Sequence, residues 1–387
     1  MLRKKKILFV VPYFSTGGTN RSLQCLLSKL DTVTYEADVF VLVHEGLYRN
    51  DFPNCNVLES NFLLESIVAH YESRKGWKKI CSLVTKALCK VTKYGFLRLV
   101  FKNVAARINK RNKYDAIIAF EEGVATDFVN AFQHPNKIAW IHCDYASRKS
   151  LNNDIDERGI YRNFKSIVCV SKYTKQSFLN IYPEFDKNTY AIYNVLDTDM
   201  MQEMAKVKES VSFDSSLFNI ISIGRIDPVK QFSRIPEIAS KIKRKGAKFC
   251  WYIIGPRGTA DEFLELQENL VKYDVVNEVK LLGETKNPYN YIAQSQLLVN
   301  TSKSEACPYV INEAKVLNTP VVCTNFGSAR EFVQTGENGF YAPLEELDYY
   351  ICKLIEDNVV YTTIANNLKS FEYDNQQLMF SVYKLIG

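Results

Sequence analysis

Short apolar runs typical of buried strands alternate with segments of helical periodicity along most of this chain. The predicted strands include KILFVVPYF, ADVFVLV, YDAIIAF, KIAWIHC and KSIVCVS in the first half, and LFNIISIGR, KFCWYIIG, EVKLLGE and SQLLVNTS in the second. This alternation predicts parallel sheets covered by helices on both faces, so the expected fold class is α/β. A length of 387 residues is enough for two or three domains with their own cores.

A polar stretch over residues 197–216 interrupts the alternation, which then restarts. The interruption predicts two doubly wound domains, one over residues 1–198 and one over residues 217–368, joined by a linker over 199–216. Parallel sheets bind ligands beyond the carboxyl ends of their strands. The candidate functional residues are therefore those that follow predicted strands.

Two such loops lie in the first half. STGGTNRS (residues 15–22) follows the first strand, and Gly17 and Gly18 would let the backbone approach a ligand closely. A tight turn alone would also explain these glycines. WIHCDY places His142 and Asp144 after another strand, although a lone histidine is more often structural than catalytic.

The loop GRIDPVK (residues 224–230) follows the first strand of the second half. Gly224 permits a tight exit from the strand, and Arg225 and Lys230 are suited to binding phosphate. The competing interpretation is two solvated surface cations.

The segment SEACPYVINEAKVLNTP (residues 304–320) predicts a helix that begins near Pro308, because proline fits the first helical turn. Pro320 ends the helical pattern. Glu305 then lies in the preceding loop and Glu313 in the second turn. Since a helix start binds anions, the segment predicts a phosphate site with a carboxylate on each side. Taken alone, the segment favours the alternative of a surface helix with two solvated acids.

Together these motifs resemble the retaining glycosyltransferases of family 4, which have the GT-B fold. Glu305 and Glu313 match that family's E-x7-E pattern, and residues 224–230 match its G-R-x4-K loop. The likeness covers nearly the whole chain. It implies two Rossmann-like domains facing a cleft, an acceptor-binding first domain, a nucleotide-sugar-binding second domain, and a C-terminal segment, residues 369–387, that returns to the first.

The resemblance also implies a role for each motif. Arg225 and Lys230 would hold the donor diphosphate, Glu313 the ribose, and Glu305 the donor sugar, with His142 near the reaction centre. The expected catalytic residues are thus His142, Arg225, Lys230 and Glu305. The expected substrate-binding residues are Gly17, Gly18, Asp144, Gly224, Cys307, Pro308, Tyr309 and Glu313. Ala306 departs from the family, which usually has glycine directly after the first glutamate.

The reaction that the resemblance implies is sugar transfer from a nucleoside-diphosphate sugar with retention of configuration. UDP-sugar is favoured over GDP-sugar as donor, and neither a metal nor another cofactor is expected. Three alternatives remain open: a soluble enzyme of the same family acting on a free sugar, a nucleotide-sugar epimerase of the same fold, and a non-catalytic glycan- or membrane-binding relative.

Residues 74–113 contain thirteen Lys and Arg residues and no acid. Trp77, Ile80, Val84, Leu88 and Val91 recur among them at helical spacing. This pattern predicts one or two basic amphipathic helices that contact an anionic membrane surface. An ordinary domain helix with a solvated basic face is the alternative, and no nucleic-acid-binding motif is present. A lipid-linked glycan in bacterial surface polysaccharide synthesis would suit a membrane-bound acceptor domain.

No apolar run approaches the length of a membrane span. The start, MLRKKKILFVVPYF, imitates a signal peptide, but its short apolar core is followed by Pro12 and no small-residue cleavage site, so a first strand is predicted. The ten cysteines show no metal-binding spacing and are expected to be reduced thiols. The expected location is cytoplasmic, peripheral on the inner face of the cell membrane.

Overall fold

The structure, a computed structural model, describes residues 3–14, 18–44, 52–69, 74–151, 155–209 and 211–387. The chain divides into two compact units. Unit 1 comprises Met1–Leu196 together with Asp374–Gly387, and unit 2 comprises Asp197–Tyr373. The α/β class is confirmed, since each unit is built on its own parallel sheet.

The described residues of unit 1 form a seven-stranded parallel sheet in the order β3-β2-β1-β4-β5-β6-β7. Its strands are β1 (Lys5–Tyr13), β2 (Tyr35–Val43), β3 (Cys55–Leu58), β4 (Ala116–Ala119), β5 (Lys137–Ile141), β6 (Ser166–Cys169) and β7 (Thr189–Ala191). The central strands are buried along nearly their whole length, as continuous apolar runs require in a sheet covered on both faces.

The helices of this part of the chain connect and cover these strands. They are α1 (Gly18–Ser28), α2 (Phe62–Val68), α3 (Trp77–Val91), α4 (Gly95–Asn112), α5 (Val124–Asn130), α6 (Tyr145–Leu151), α7 (Arg158–Tyr161) and α8 (Lys172–Ile181). Because β4 lies between β1 and β5, the loops after these three strands meet at one edge of the sheet.

The basic stretch forms two helices, and they differ in what they bury. Helix α4 packs Val100, Phe101 and Val104 into the core of unit 1. Helix α3 instead buries small residues, and the Ser82 and Thr85 hydroxyls donate to the Ser66 carbonyl of α2 at 2.7 and 3.0 Å. The large apolar side chains predicted as a stripe on this helix all face solvent: Trp77, Ile80, Val84, Leu88 and Val91.

The described residues of unit 2 form a six-stranded parallel sheet in the order β10-β9-β8-β11-β12-β13. Its strands are β8 (Phe218–Ile223), β9 (Phe249–Ile254), β10 (Val279–Gly283), β11 (Leu297–Asn300), β12 (Val321–Thr324) and β13 (Gly339–Ala342). Its helices are α9 (Thr198–Lys206), α10 (Ile235–Arg244), α11 (Ala260–Lys272), α12 (Pro288–Gln294), α13 (Tyr309–Val316), α14 (Ala329–Phe332), α15 (Leu347–Glu356) and α16 (Asn358–Lys369).

The segment predicted as a linker, residues 199–216, is not one. It contains most of α9. In the last turn of this helix, the Met204 carbonyl accepts a hydrogen bond from Asn287 at 3.0 Å and the Ala205 carbonyl accepts one from Asn290 at 2.8 Å. Farther along, Phe213 stacks on Tyr252 of β9 with ring centroids 3.7 Å apart. The polar composition of this segment reflects an amphipathic helix and its cap, which anchor it to unit 2.

The chain ends in helix α17 (Asn375–Ile386), which belongs to unit 1. The Tyr383 ring stacks on Tyr35 at the start of β2, with centroids 5.0 Å apart, and the Tyr383 hydroxyl accepts from the Asp31 backbone N–H at 2.9 Å. Asn375 exchanges two hydrogen bonds with the backbone of Leu196, at 3.0 and 2.8 Å. The last unit boundary falls between residues 373 and 374, five residues beyond the predicted one.

Candidate functional site

The loop after β8 is organised by Asp227, which the sequence analysis did not single out. Its Oδ1 accepts the backbone N–H groups of Val229 and Lys230 at 3.0 and 3.1 Å. Its Oδ2 accepts Nε of Arg225 at 2.9 Å. One buried carboxylate therefore fixes the turn and both predicted phosphate-binding cations. The signal was present in the sequence, since Asp followed by Pro commonly starts such a turn.

In the described part of the chain, the Arg225 guanidinium is hydrogen-bonded through its Nε edge. Its side chain is 64% exposed. Among the described residues, its Nε contacts Asp227, while the two terminal nitrogens contact no protein acceptor. These nitrogens form the fork that binds phosphate oxygens pairwise. Arg225 is thus oriented and still available to a ligand.

Lys230 and Glu305, assigned to diphosphate and sugar respectively, contact each other directly. The Nζ of Lys230 lies 2.5 Å from Oε1 of Glu305, and both side chains are largely buried. The same oxygen accepts from Ser302 Oγ at 2.7 Å and from Asn300 Nδ2 at 3.3 Å. Within the described chain, Oε2 accepts no hydrogen bond, so it is the oxygen left for a hydroxyl group of a ligand.

Helix α13 begins at Tyr309, and Pro308 is its N-cap rather than a residue of its first turn. Pro308 makes no side-chain cap, because proline has no hydrogen-bonding side-chain atom. At the start of an α-helix the first backbone N–H groups point along the axis at the positive end of the helix dipole. Cys307 and Pro308 are buried, and Tyr309 is half-buried.

Glu313 lies in the second turn of α13, as predicted, but it is buried. Its Oε1 accepts the Tyr289 hydroxyl of α12 at 3.3 Å. The interpretation of this residue as a solvated surface acid is therefore wrong. A buried carboxylate needs hydrogen-bond donors, and the Tyr289 hydroxyl is one of them.

A second glycine loop, residues 255–258, packs against the loop after β8. A Cβ atom on Gly255 would lie 1.9 Å from the Gly224 carbonyl oxygen, and one on Gly258 would lie 2.2 Å from the Ile226 carbonyl oxygen. Neither position can accept a side chain without moving the loop after β8. The sequence analysis missed this loop, although Gly-Pro-Arg-Gly directly after a strand is a turn signal.

In unit 1, His142 directly follows β5 and is neutral at physiological pH. Burial lowers its pKa to about 4, although the Glu122 charge and a backbone hydrogen bond at Phe120 act in the opposite direction. Its backbone N–H donates to Glu122 Oε2 at 2.8 Å. The buried Nε2 atom has no hydrogen-bond partner among the described residues. An imidazole in this state can donate or accept one hydrogen bond with a ligand.

Glu121 and Glu122 follow β4 at the same sheet edge and were also missed. Burial, reinforced by the Glu122 charge, raises the pKa of Glu121 to about 8. A carboxyl group in this state is protonated at neutral pH and donates a hydrogen bond. Two adjacent acids, Glu121 and Glu122, are a sequence signal for such a shifted pair.

Asp144, which was predicted to bind substrate, makes several hydrogen bonds within unit 1, and its contact with substrate stays a prediction. Burial acts to raise its pKa, but hydrogen bonds outweigh burial and lower it. The carboxylate accepts from four protein groups around the start of α6: Ser177 Oγ, Ser147 Oγ, Tyr173 Oη and the Ala146 backbone N–H. The structure therefore assigns Asp144 to holding α6 and α8 in place. Gly18 is the first residue of α1, and Gly17 lies outside the described residues.

No metal centre is visible in the described ranges, where no group of three or more His, Cys, Asp and Glu side chains is placed to hold a metal ion. Asp197, the first acid of the sequence Asp-Thr-Asp at 197–199, caps α9 by accepting the Met200 backbone N–H at 3.4 Å. In the same described ranges, no helix has the length and apolarity needed to cross a membrane.

Two parallel-sheet units of seven and six strands give this chain the GT-B fold of glycosyltransferases. The Anabaena protein HepE, crystallised with UDP and glucose, superposes with a TM-score of 0.71 at 20% identity and covers 98% of both chains. Residues 204–371 match the model of the family described as glycosyl transferases group 1. The match lies within the second unit, which is therefore similar to that family.

Two characterised relatives match over about half of their length. The amylovoran biosynthesis glycosyltransferase AmsD of Erwinia amylovora is 22% identical over 184 residues, which are 47% of this chain and 50% of that protein. The N-acetylgalactosamine-N,N'-diacetylbacillosaminyl-diphospho-undecaprenol 4-alpha-N-acetylgalactosaminyltransferase of Campylobacter jejuni is 25% identical over 187 residues, 48% of each chain. The expected GT-B fold is thereby confirmed, and the second unit is similar to the glycosyl transferases of group 1.

Proposed function

We propose that this chain transfers a sugar from a nucleoside-diphosphate sugar, UDP-sugar first among the candidates, to a lipid-linked glycan acceptor during bacterial surface polysaccharide synthesis. The observation that carries the proposal is the cluster in unit 2. Arg225 and Lys230 stand on one turn, the start of α13 provides backbone N–H groups, and Glu305 and Glu313 provide two carboxylates.

Each group suits one part of the donor. The terminal nitrogens of Arg225 and the ammonium of Lys230 match the diphosphate, and buried Glu313 accepts from the ribose hydroxyls. Oε2 of Glu305 accepts from a sugar hydroxyl. The relatives support the chemistry: one is crystallised with UDP and glucose, and another is named for a diphospho-undecaprenol acceptor.

The reaction breaks the bond between the sugar C1 and the diphosphate oxygen and forms one from C1 to an acceptor hydroxyl oxygen. The acceptor proton passes to the leaving phosphate. In our proposal the new bond forms on the face that the diphosphate leaves, so the configuration is retained. Arg225, Lys230 and the start of α13 stabilise the charge that builds on the leaving group, and this is why we propose catalysis without a divalent metal.

A two-part experiment tests the donor site. Thermal-shift measurements with UDP-, GDP- and ADP-sugars should show stabilisation by one base, because a ligand that binds the folded state raises the melting temperature. Turnover should then persist in EDTA, and the product should have the anomeric configuration of the donor. A donor that is converted to an epimer without an acceptor would refute transfer, and stabilisation by none of the three would refute the donor site.

We also propose that α3 places unit 1 on an anionic membrane. The structure removes one objection, namely that the apolar stripe packs inside the domain, because Trp77 is 61% and Val91 81% exposed. The Trp77 ring packs at a tilt of 31° against Phe62, itself exposed, with ring centroids 5.1 Å apart. The stripe lies in a stretch with thirteen cations and no acid. An apolar face beside lysines fits anionic lipid.

Co-sedimentation with phosphatidylglycerol-containing vesicles tests membrane binding. The parent should sediment at low salt and less so at high salt, because salt screens the electrostatic part. Serine at Trp77, Ile80 and Val84 should release it. A matched control replaces three exposed apolar residues of unit 2 and should bind like the parent: Leu264, Val271 and Val276. A parent that stays in the supernatant at low salt would refute this proposal.

A further inference from the structure

Unit 1 contains a cavity of about 370 Å³ between the end of β1 and helices α2 to α5. Ile67, Val68, Leu97 and Val124 supply apolar walls. The volume falls within the range of about 300–1,000 Å³ that is usual for sites of small ligands. Only an apolar ligand or part of a ligand would contact these walls favourably.

Two lysines also line this cavity. Lys86 and Lys90 lie four residues apart on α3, so they are neighbours on one face of the helix. Lys86 is half-buried and Lys90 exposed, and no acid is among the described residues that line the cavity. Paired ammonium groups bind phosphate oxygens. The cavity therefore combines an anion site with an apolar wall, which fits an amphiphile with a phosphate end.

The cavity opens where this fold binds ligands. Tyr13, another lining residue, is the last residue of β1, and Val124 begins the helix that follows β4. These strands are adjacent, and the next strand in the sheet is β5, whose carboxyl end leads to His142. A phosphate bound at the lysines would thus direct whatever it carries along the sheet edge toward His142.

We propose that this cavity binds the lipid phosphate of the acceptor, with the diphosphate on Lys86 and Lys90 and the first part of a polyprenyl chain against the apolar walls. The proposal rests on the proposed function, of which a lipid-linked acceptor is part. A soluble glycan would not use the apolar walls, and free phosphate would use only the lysines. A polyprenyl diphosphate uses both.

Calorimetric titration of the full chain with farnesyl diphosphate tests the site. The parent should bind this probe more tightly than it binds either pyrophosphate or farnesol. Lys86→Ala and Lys90→Ala should each weaken binding about tenfold, as loss of one charge-assisted contact implies. Lys79→Ala is the matched control, since Lys79 is an exposed lysine of the same helix that does not line the cavity, and it should bind like the parent.

A cavity-filling variant, Leu97→Trp, tests the apolar walls of the cavity. It should weaken the binding of farnesyl diphosphate more than the binding of pyrophosphate. The lysine variants alter partly exposed positions, so they stay informative if Leu97→Trp does not fold. UDP binding by unit 2 should be unchanged in all of them, which checks folding and keeps the two proposals separate. If the parent did not bind UDP, the donor-site proposal would be refuted, whatever the titration with farnesyl diphosphate shows.

Two results would overturn the cavity proposal while leaving the transferase proposal intact. One is farnesyl diphosphate binding that is equal in the parent, Lys86→Ala and Lys90→Ala. The other is pyrophosphate binding as tight as farnesyl diphosphate binding, which would show a phosphate site without a lipid site. As a kinetic check, the lysine variants should raise KM for a lipid-linked acceptor and leave turnover with a short soluble acceptor unchanged.

Discussion

The contact between Lys230 and Glu305 makes it possible to separate two roles for the lysine. It could act on the diphosphate, or it could only neutralise Glu305, from which it lies 2.5 Å away. Lys230→Met removes the ammonium and retains much of the packing. Glu305 keeps its hydrogen bonds from Ser302 and Asn300, so the loss in folding stability should be about 1–2 kcal/mol.

The functional loss from Lys230→Met should be larger. If the ammonium stabilises the charge of the leaving diphosphate, turnover should fall roughly 100-fold, which corresponds to about 3 kcal/mol in the activation free energy. Affinity for UDP should also fall in that case, because the proposed contact between the ammonium and phosphate would be lost. Calorimetry with UDP and a coupled assay of UDP release measure the two losses separately.

The double variant Lys230→Met/Glu305→Gln decides between the roles. It removes the lysine and also the charge that the lysine would neutralise. A phosphate-binding lysine predicts that the double variant binds UDP as weakly as Lys230→Met alone, although its folding stability recovers. If the double variant regained the UDP affinity of the parent, Lys230 would be only a partner for Glu305 and the diphosphate assignment would be wrong.

Three other perturbations test neighbouring parts of the site. Asp227 is not expected to contact the ligand, but Asp227→Ala should weaken UDP binding about tenfold, because the turn and Arg225 lose a shared hydrogen-bond acceptor. Asp227→Asn should recover part of the loss in the same titration. Glu313→Gln should weaken the binding of UDP by about 1.5–3 kcal/mol, whereas Glu305→Gln should leave the binding of free UDP unchanged and abolish transfer. Equal effects of the two variants on UDP binding in calorimetry would contradict these separate roles. The pKa of His142 is about 4 in the folded state and near 6.5 in the unfolded state, so the unfolded state binds more protons and the free energy of unfolding should fall by up to about 3 kcal/mol as pH drops from 6.5 to 4. Urea unfolding of His142→Gln should lack this component. An identical pH dependence in both proteins would contradict the assigned pKa.

Much of the fold follows from local pattern. Apolar runs such as that of β1 are buried on both faces of a parallel sheet, so their strand character is encoded within a few residues. The candidate site follows partly for the same reason, because Arg225 and Lys230 share one short loop. Their connection to Glu305 does not follow, since it joins residues 75 positions apart and depends on how β8 and β11 pair.

The orientation of α3 also could not be predicted from periodicity. Its apolar stripe has the helical spacing of a core face, which is why burial was an open alternative. The structure buries the opposite side because Ser82 and Thr85 are small and find a carbonyl acceptor on α2. Periodicity identifies a face of the helix, and the partner element decides which face is covered. Asp144 shows the same limitation, since its donors come from α6 and α8.

The two hydrogen bonds between Leu196 and Asn375 have a consequence for how the chain could be shortened. They bring together the two chain segments that flank Asp197–Tyr373, so unit 2 is in effect an insertion between neighbouring residues of unit 1. A version with unit 2 excised and Leu196 fused directly to Asp374 should therefore keep the seven-stranded sheet together with α17. A fragment that simply stops at Leu196 would instead lose the Tyr383 ring from Tyr35 and leave the start of β2 uncovered.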